Sequence, residues 1–216
     1  MDKITKEFVD QLYDKNCSGI KILHEQLDPN KLKGINSFIL ANEYRFEEKR
    51  EKYIENNQLV SLLYRGPFDI SVLDNTIFID IINMYKKIRD EINHYSDIAF
   101  TQGTSLEIKL IHYPISKLGV GIHKDLSSNL NLIVFFNLKG STHIKTYDNK
   151  RGDNPVSHPI SSGDISLMRG PRDKTEADIR PYHAIEEVFE PRTVLVIREI
   201  DEELEKITNK DNWRGF

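Results

Sequence analysis

Two histidines and an aspartate in this chain have the types and spacing of a metal site. His123-Lys124-Asp125 sets an imidazole and a carboxylate two residues apart. On an extended segment such residues project from one face and can reach a single ion together. His183 follows 58 residues after Asp125, enough chain to cross several strands and return to the same end of a barrel. Two histidines and one carboxylate make the facial triad of non-haem iron(II), which leaves coordination positions open for substrates and dioxygen. The His-x-Asp pair alone is common by chance, so its weight depends on what surrounds it.

Three neighbouring features add that weight. Residues 163–171, Gly-Asp-Ile-Ser-Leu-Met-Arg-Gly-Pro, read as a turn, a buried strand and a second turn that delivers His183. Arg192 lies nine residues after His183 and opens the apolar strand Thr193-Val194-Leu195-Val196-Ile197. A guanidinium there, aimed into a barrel, can bind a carboxylate through two parallel hydrogen bonds. The plainer alternative is an edge arginine paired with Glu190 or Glu199. Arg198, six residues beyond Arg192, shares its strand face with Val194 and Val196. Two arginines on the inward face of an apolar strand are costly unless they meet anions.

Together, His123-x-Asp125, His183 and Arg192 resemble the iron(II)/2-oxoglutarate-dependent oxygenase superfamily, over residues 105–200. Leu110-Ile111-His112-Tyr113-Pro114 and the Arg192-x5-Arg198 pair are most similar to the AlkB-type oxidative demethylases and their small bacterial and fungal relatives. The resemblance implies a double-stranded β-helix, a jelly roll, that binds iron(II) through His123, Asp125 and His183. It implies that Arg192 holds the distal carboxylate of 2-oxoglutarate, helped by the Tyr113 hydroxyl. Arg198 then lies near the other end of the co-substrate or supports Asp125. The implied reaction consumes dioxygen, oxidises a C–H bond and releases succinate and carbon dioxide. Halogenating relatives lack the carboxylate ligand, so Asp125 favours hydroxylation, desaturation, ring closure or demethylation. Ile111 stands where the demethylases have asparagine, which departs from that branch.

Other polar groups fall near these motifs. Arg169, Arg172 and Arg180 crowd the approach to His183, and the polar stretch 172–180 reads as a loop over the site mouth. Arg169 or Arg180 could hold a substrate carboxylate; a solvated loop with local ion pairs is the alternative. Asn131 and Asn137 share a strand face with Ile133 and Phe135, and buried amides there need partners that substrate or co-substrate could supply. His112, His143 and His158 have no spaced carboxylate and read as structural or surface residues, with His158 in a turn.

The elements that must position these groups divide the chain near residue 100. Residues 1–103 read as a mostly helical support. Phe8, Leu12 and Tyr13 suit a short opening helix, 30–42 a second, the charged stretch 44–57 a third, and 74–93 the clearest one, with isoleucines at helical spacing. The charged run around Lys49, Arg50 and Lys52 reads as a solvated helix face. Short apolar runs at 19–24 and 58–64 suit strands. Residues 104–216 form the catalytic core. Within it, 105–113, 130–139, 142–148, 163–169 and 192–200 are short, apolar and bounded by turn residues. Five or more such strands predict a sandwich or barrel of jelly-roll type, an α+β fold with a mainly β core and helices covering one sheet.

Bulk properties narrow the classes. The net charge of −4, from 30 Lys+Arg against 34 Asp+Glu, gives no global electrostatic support for nucleic-acid binding. One cysteine, Cys17, allows neither an internal disulfide nor a thiolate zinc site and suits a reducing, cytoplasmic setting. No signal peptide or membrane span is expected. The expected function is oxidation of a small molecule, such as an amino acid or biosynthetic intermediate. A nucleic-acid demethylase would need a basic groove with stacking aromatics. A non-catalytic β-barrel binding module would not need the triad, and a metal-binding cupin would carry His-x-His.

Overall fold

The structure is a computed structural model. It describes residues 3–41, 48–55, 58–65, 76–97, 100–101, 104–113, 115, 120–126, 128–171, 179–185 and 188–201; in 48–55, 58–65 and 76–77 only the backbone is described.

Among the described residues, three helices come from the first hundred positions. Helix α1 (Lys6–Tyr13) starts at Thr5, whose hydroxyl accepts from the Phe8 amide at 3.2 Å, and buries Val9, Leu12 and Tyr13. Helix α2 (Pro29–Ala41) begins with proline in its first turn, where no amide is needed, and the Asp28 carboxylate caps the amides of Asn30 and Lys31. Helix α3 (Thr76–Tyr95) buries Phe78, Ile81, Tyr85, Ile88 and Ile92, a stripe at three- and four-residue steps. Ile79 falls off the stripe and is exposed.

Strands fill the rest: β1 (Ile20–Leu23), β2 (Glu48–Glu55), β3 (Gln58–Arg65), β4 (Ser105–Tyr113), β5 (Val120–His123), β6 (Asn129–Lys139), β7 (Thr142–Tyr147), β8 (Val156–Ile160), β9 (Ile165–Arg169), β10 (Tyr182–Ile185) and β11 (Arg192–Ile200). They form a seven-stranded sheet in the order β1-β9-β6-β11-β4-β3-β2 and a four-stranded sheet in the order β5-β10-β7-β8. Every recorded pairing is antiparallel.

The larger sheet is apolar on both faces. Leu132, Val134, Phe136, Leu138, Leu195 and Ile197 join the helices in one core. The alternate residues Ile133, Val194 and Val196 join Ile144 and Ile160 of the smaller sheet in a second core between the sheets. The layers are therefore helices, large sheet, barrel interior and small sheet. This is the jelly roll with covering helices expected from the strand spacing.

Two expectations are corrected. The charged stretch 44–57 is not a helix over its described part. Residues 48–55 are β2, paired with β3 from Glu48↔Arg65 to Glu55↔Gln58. Pairing against the apolar β3 prevails over the helix-favouring glutamates and lysines, whose intrinsic preference is small. His158 does not occupy a turn; it lies within β8, opposite Ile144. Among the described residues no helix is long and apolar enough to cross a membrane.

Candidate metal centre

β5 and β10 are antiparallel neighbours, and His123 sits directly opposite His183. That register closes the gap of 58 residues and brings both imidazoles off one face, with ring centroids 4.2 Å apart. Asp125 lies two residues past His123, at the mouth end of the same face. One ligand atom from each of His123, Asp125 and His183 lies within 4.8 Å of the others.

The donor chemistry suits a metal. His123 Nδ1 lies 2.7 Å from the Gly121 carbonyl, and His183 Nδ1 lies 3.2 Å from the Pro181 carbonyl. A carbonyl can only accept, so each Nδ1 carries the proton and each Nε2 presents its lone pair. Burial, then His123, lowers the His183 pKa to about 4, which keeps that ring neutral at physiological pH. Asp125 Oδ2 is buried with no hydrogen-bond partner. Burial opposes ionisation of Asp125, yet Arg198, His183, His123 and Arg180 hold its carboxyl below the usual carboxylate range. An ionised carboxylate with an unsatisfied buried oxygen, facing two histidine lone pairs, is what a divalent cation would satisfy.

Arg192 and Arg198 both face the barrel interior from β11. Arg192 is 1% exposed and lies opposite Tyr113, with its guanidinium carbon 5.2 Å from the tyrosine ring centre. Its Nε donates to Asn137 Oδ1 at 2.8 Å, while Asn137 Nδ2 donates to the Gly140 carbonyl at 2.7 Å. Neither acid weighed as its partner takes that role. The described contact of Glu190 is with the Ser141 hydroxyl, and Glu199 is bound by Tyr85, Arg89, Thr104 and Asn131. Arg192 has no carboxylate partner among the described residues, and burial lowers its pKa while Tyr113 opposes the shift. Gly140 is required beside it: at φ +78, a Cβ there would stand 2.8 Å from the Pro191 carbonyl oxygen and 2.9 Å from Arg192 Cα.

Arg198 bridges two acids. Its guanidinium donates to Glu107 at 3.0 Å and lies 3.7 Å from Asp125 Oδ1. Glu107 also pairs with Lys109. Glu107 was not singled out in the sequence. The available signal was its place on β4, at even steps from Tyr113 and so on the same inward face. Glu107→Gln is expected to loosen Arg198 and weaken iron(II) binding about tenfold, as for other partners that orient a ligand. Anaerobic metal titration measures this.

Two candidate substrate residues are corrected. Asn131 does not share the inward face of Ile133. Arg198 pairs with Ile133 but Glu199 pairs with Leu130, so β6 carries a bulge there. Asn131 adopts φ 57 and turns to the helix side. Its amide bonds Glu199 and the Thr101 backbone, and the Tyr13 hydroxyl donates to its carbonyl at 2.7 Å. Asn131→Ala is expected to destabilise the fold by about 2 kcal/mol, by leaving buried Glu199 short of a donor, with metal affinity unchanged. Urea unfolding and metal titration separate the two effects. Arg169 shares the helix-side face of β9 with Leu167. It donates to the backbone carbonyls of Ile179, Leu12 and Asp14 and so ties α1 to β9. Arg180 does reach the site: its guanidinium donates to the Asp125 carbonyl. The loop read over the mouth lies outside the described residues from 172 to 178.

No protein-family model matches the chain, and no curated protein matches it by sequence. Solved structures do match its fold. A prolyl hydroxylase from Trichoplax adhaerens, in complex with a hypoxia inducible factor oxygen degradation domain peptide fragment, superposes with a TM-score of 0.62 at 13% identity, over 94% of this chain and 93% of that one. An oxidoreductase of the 2OG-Fe(II) oxygenase family from Burkholderia pseudomallei gives 0.54 at 13% identity, over 92% of each chain. A non-heme alpha ketoglutarate dependent epimerase from nogalamycin biosynthesis gives 0.55 at 13% identity, over 91% of this chain and 84% of that one. The chain has the 2-oxoglutarate/iron(II) oxygenase fold. Within that oxygenase fold, the His-Asp-His cluster lies at one end of the small sheet, and the two inward arginines stand on β11 of the large sheet.

Proposed function

We propose that this chain is an iron(II)- and 2-oxoglutarate-dependent oxygenase that oxidises a C–H bond of a small molecule, an amino acid or biosynthetic intermediate, releasing succinate and carbon dioxide. The observation that carries the reading is Arg192, a buried cation without a carboxylate partner among the described residues, in the same barrel as Asp125, whose buried Oδ2 has no hydrogen-bond partner. A binding module would gain nothing from leaving both groups unsatisfied.

The residues divide the work. His123, Asp125 and His183 hold iron(II). Arg192 clamps the distal carboxylate of 2-oxoglutarate, Asn137 fixes the direction of its guanidinium through Nε, and the Tyr113 hydroxyl adds a donor. Arg198, held by Glu107, steadies Asp125 against rotation. Apolar Ile133, Val194 and Val196 keep water from the co-substrate between these ends. Iron bound there would supply dioxygen activation and C–H oxidation coupled to oxidative decarboxylation of 2-oxoglutarate. The protein supplies orientation and a dry cavity.

A peptide substrate is the second reading, since the Trichoplax adhaerens hydroxylase binds one. Nucleic acid has less support: the chain is net acidic and Ile111 departs from the demethylase pattern. The single Cys17 suits a reducing compartment such as the cytoplasm. The test is succinate release from 2-oxoglutarate. It should require iron(II) and dioxygen and be absent in His183→Ala; metal-independent release would reject the reading.

A further inference from the structure

One histidine inside the barrel has no part in the metal site. His158 stands on β8, opposite Ile144 of β7. Thr146, two residues along β7, is the strand partner of His183 on β10. Strand partners project to one face, and so do residues two apart. His158, Thr146 and His183 therefore share a face of the small sheet. That face is the barrel interior, because Ile144 and Ile160 on it join Ile20, Met168, Val194 and Val196 in the core between the sheets. β8 lies two strands from β10. Two strand spacings across and two residues along put the His158 and His183 backbones roughly 12 Å apart. Their side chains shorten that gap, and a small molecule with its reacting carbon at the metal spans it.

The pair is polar in an apolar wall. The Thr146 hydroxyl lies 3.2 Å from His158 Nε2, and Nδ1 of the same ring has no hydrogen-bond partner among the described residues. A polar group in an apolar interior is costly unless it is satisfied. A few such groups in an otherwise apolar pocket are what fix the orientation of a ligand. The large sheet adds one more. Ser166 of β9 has Ile22 and Phe135 as strand partners, and both pack against the same interior core. Its buried hydroxyl has no hydrogen-bond partner.

All three groups are uncharged. Burial, then Lys21, lowers the His158 pKa, so the ring is neutral at physiological pH and offers one donor and one acceptor. Lys21 itself gives its ammonium to Gln11 of α1, on the helix side of β1. The charges described above stand on other strands: Arg192 and Arg198 on β11, Glu107 and Lys109 on β4, and Asp125 just past β5. In the sheet orders, β4 and β11 are set apart from β9, and β5 from β8. Among neutral groups a charged ligand group loses hydration without gaining a counter-ion. A hydroxyl, carbonyl or amide finds a matching donor or acceptor there.

We propose that His158 and Thr146 are specificity-determining residues of the substrate site. They bind an uncharged hydrogen-bonding group, a hydroxyl, carbonyl or amide, on the part of the substrate remote from the reacting carbon. The identity of the ligand as substrate rests on the oxygenase reading, while the polar contact itself does not.

Fluorine NMR of the full chain tests it, with redox-inert zinc(II) in place of iron(II) and saturating 2-oxoglutarate to occupy Arg192. The probes are para-fluorobenzamide, the apolar para-fluorocumene of similar shape, and the charged para-fluorobenzoate. The amide should bind, and more tightly than the benzoate. His158→Phe and Thr146→Val should each weaken the amide about tenfold, the worth of one hydrogen bond, and leave the cumene no weaker. His158→Gln, which keeps a neutral donor and acceptor, should retain part of the amide affinity. A merely structural tie between β7 and β8 would instead weaken amide and cumene alike. Thr146→Val exchanges a hydroxyl for a methyl group, so it remains informative if the His158 variants fold poorly. No binding of the amide, tighter binding of the benzoate, or amide and cumene affinities that fall together or not at all in the variants would overturn the proposal. If the amide behaves as expected but iron(II) and 2-oxoglutarate do not bind together, the oxygenase reading fails and the polar site remains. If they do bind together and the amide is not preferred, the proposal alone fails.

Discussion

Arg192→Met is expected to weaken 2-oxoglutarate binding by about two to four orders of magnitude, leave iron(II) binding nearly intact and leave the metal-free fold no less stable. The three outcomes follow from one environment. Arg192 is 1% exposed, and its described partners are Asn137 and Tyr113. A buried guanidinium without an anion loses hydration that two neutral partners restore only in part. Methionine fills similar space with no charge, so the metal-free protein keeps its packing and sheds that cost. The co-substrate carboxylate, by contrast, loses a buried charge-assisted pair. Breaking one side of such a pair costs about 3–5 kcal/mol, or about two to four orders of magnitude in Kd. Calorimetric titration of 2-oxoglutarate and thermal unfolding of the metal-free protein check the two halves. A large fall in stability with co-substrate affinity unchanged would make Arg192 a structural residue.

His183→Ala is expected to remove iron(II) binding and all succinate release. One of three protein donors is lost, and the loss must exceed the roughly 10–100-fold typical of a partner that only orients a ligand. His123 faces His183 across the β5–β10 pair, so His123→Ala should behave alike. Asp125→Ala differs in kind. It also leaves Arg198, which stands 3.7 Å from Asp125, with Glu107 as its acid. Its metal-free stability should therefore shift, whereas that of the histidine variants should shift less. Equilibrium dialysis against iron(II), with urea unfolding of each metal-free variant, distinguishes these cases.

The parts of the site that were legible in the sequence are those that depend on strand alternation alone. His123 and Asp125 needed only a period of two. Arg192, Val194, Val196 and Arg198 needed the same, and β11 keeps it from end to end against β4. The pairing of His123 with His183 was inferred from the triad chemistry, because the register between distant strands is not written in either strand. Asn131 was misplaced where alternation breaks: the bulge opposite Arg198 and Glu199 moves it to the helix side. Arg169 was misplaced because its strand face could not be told from its nearness to His183. Its own neighbour Leu167, in the helix-side core, indicates the face once the sheet is known. The 48–55 strand was hidden by its charges, which dominate a periodicity reading but weigh little against pairing with a neighbouring strand.

Glu107 and Asn137 show a further limit. Each acts on an arginine across a strand pair, Glu107 opposite Arg198 and Asn137 beside Arg192. Such partners follow from register, so they become visible only after the sheet order is known. Once it is known, they explain why two arginines can be tolerated inside a largely apolar barrel. One is neutralised by acids; the other is held ready by neutral groups.

The most direct test of the central claim is anaerobic absorption spectroscopy of the protein with iron(II) and 2-oxoglutarate. Chelation of iron(II) by the keto acid gives a visible charge-transfer band that neither component gives alone. The band should form with the unaltered chain, be absent in His183→Ala, and in Arg192→Met require far more 2-oxoglutarate. Absence of the band with the unaltered chain at saturating iron(II) and 2-oxoglutarate, or its formation unchanged in both variants, would contradict the account.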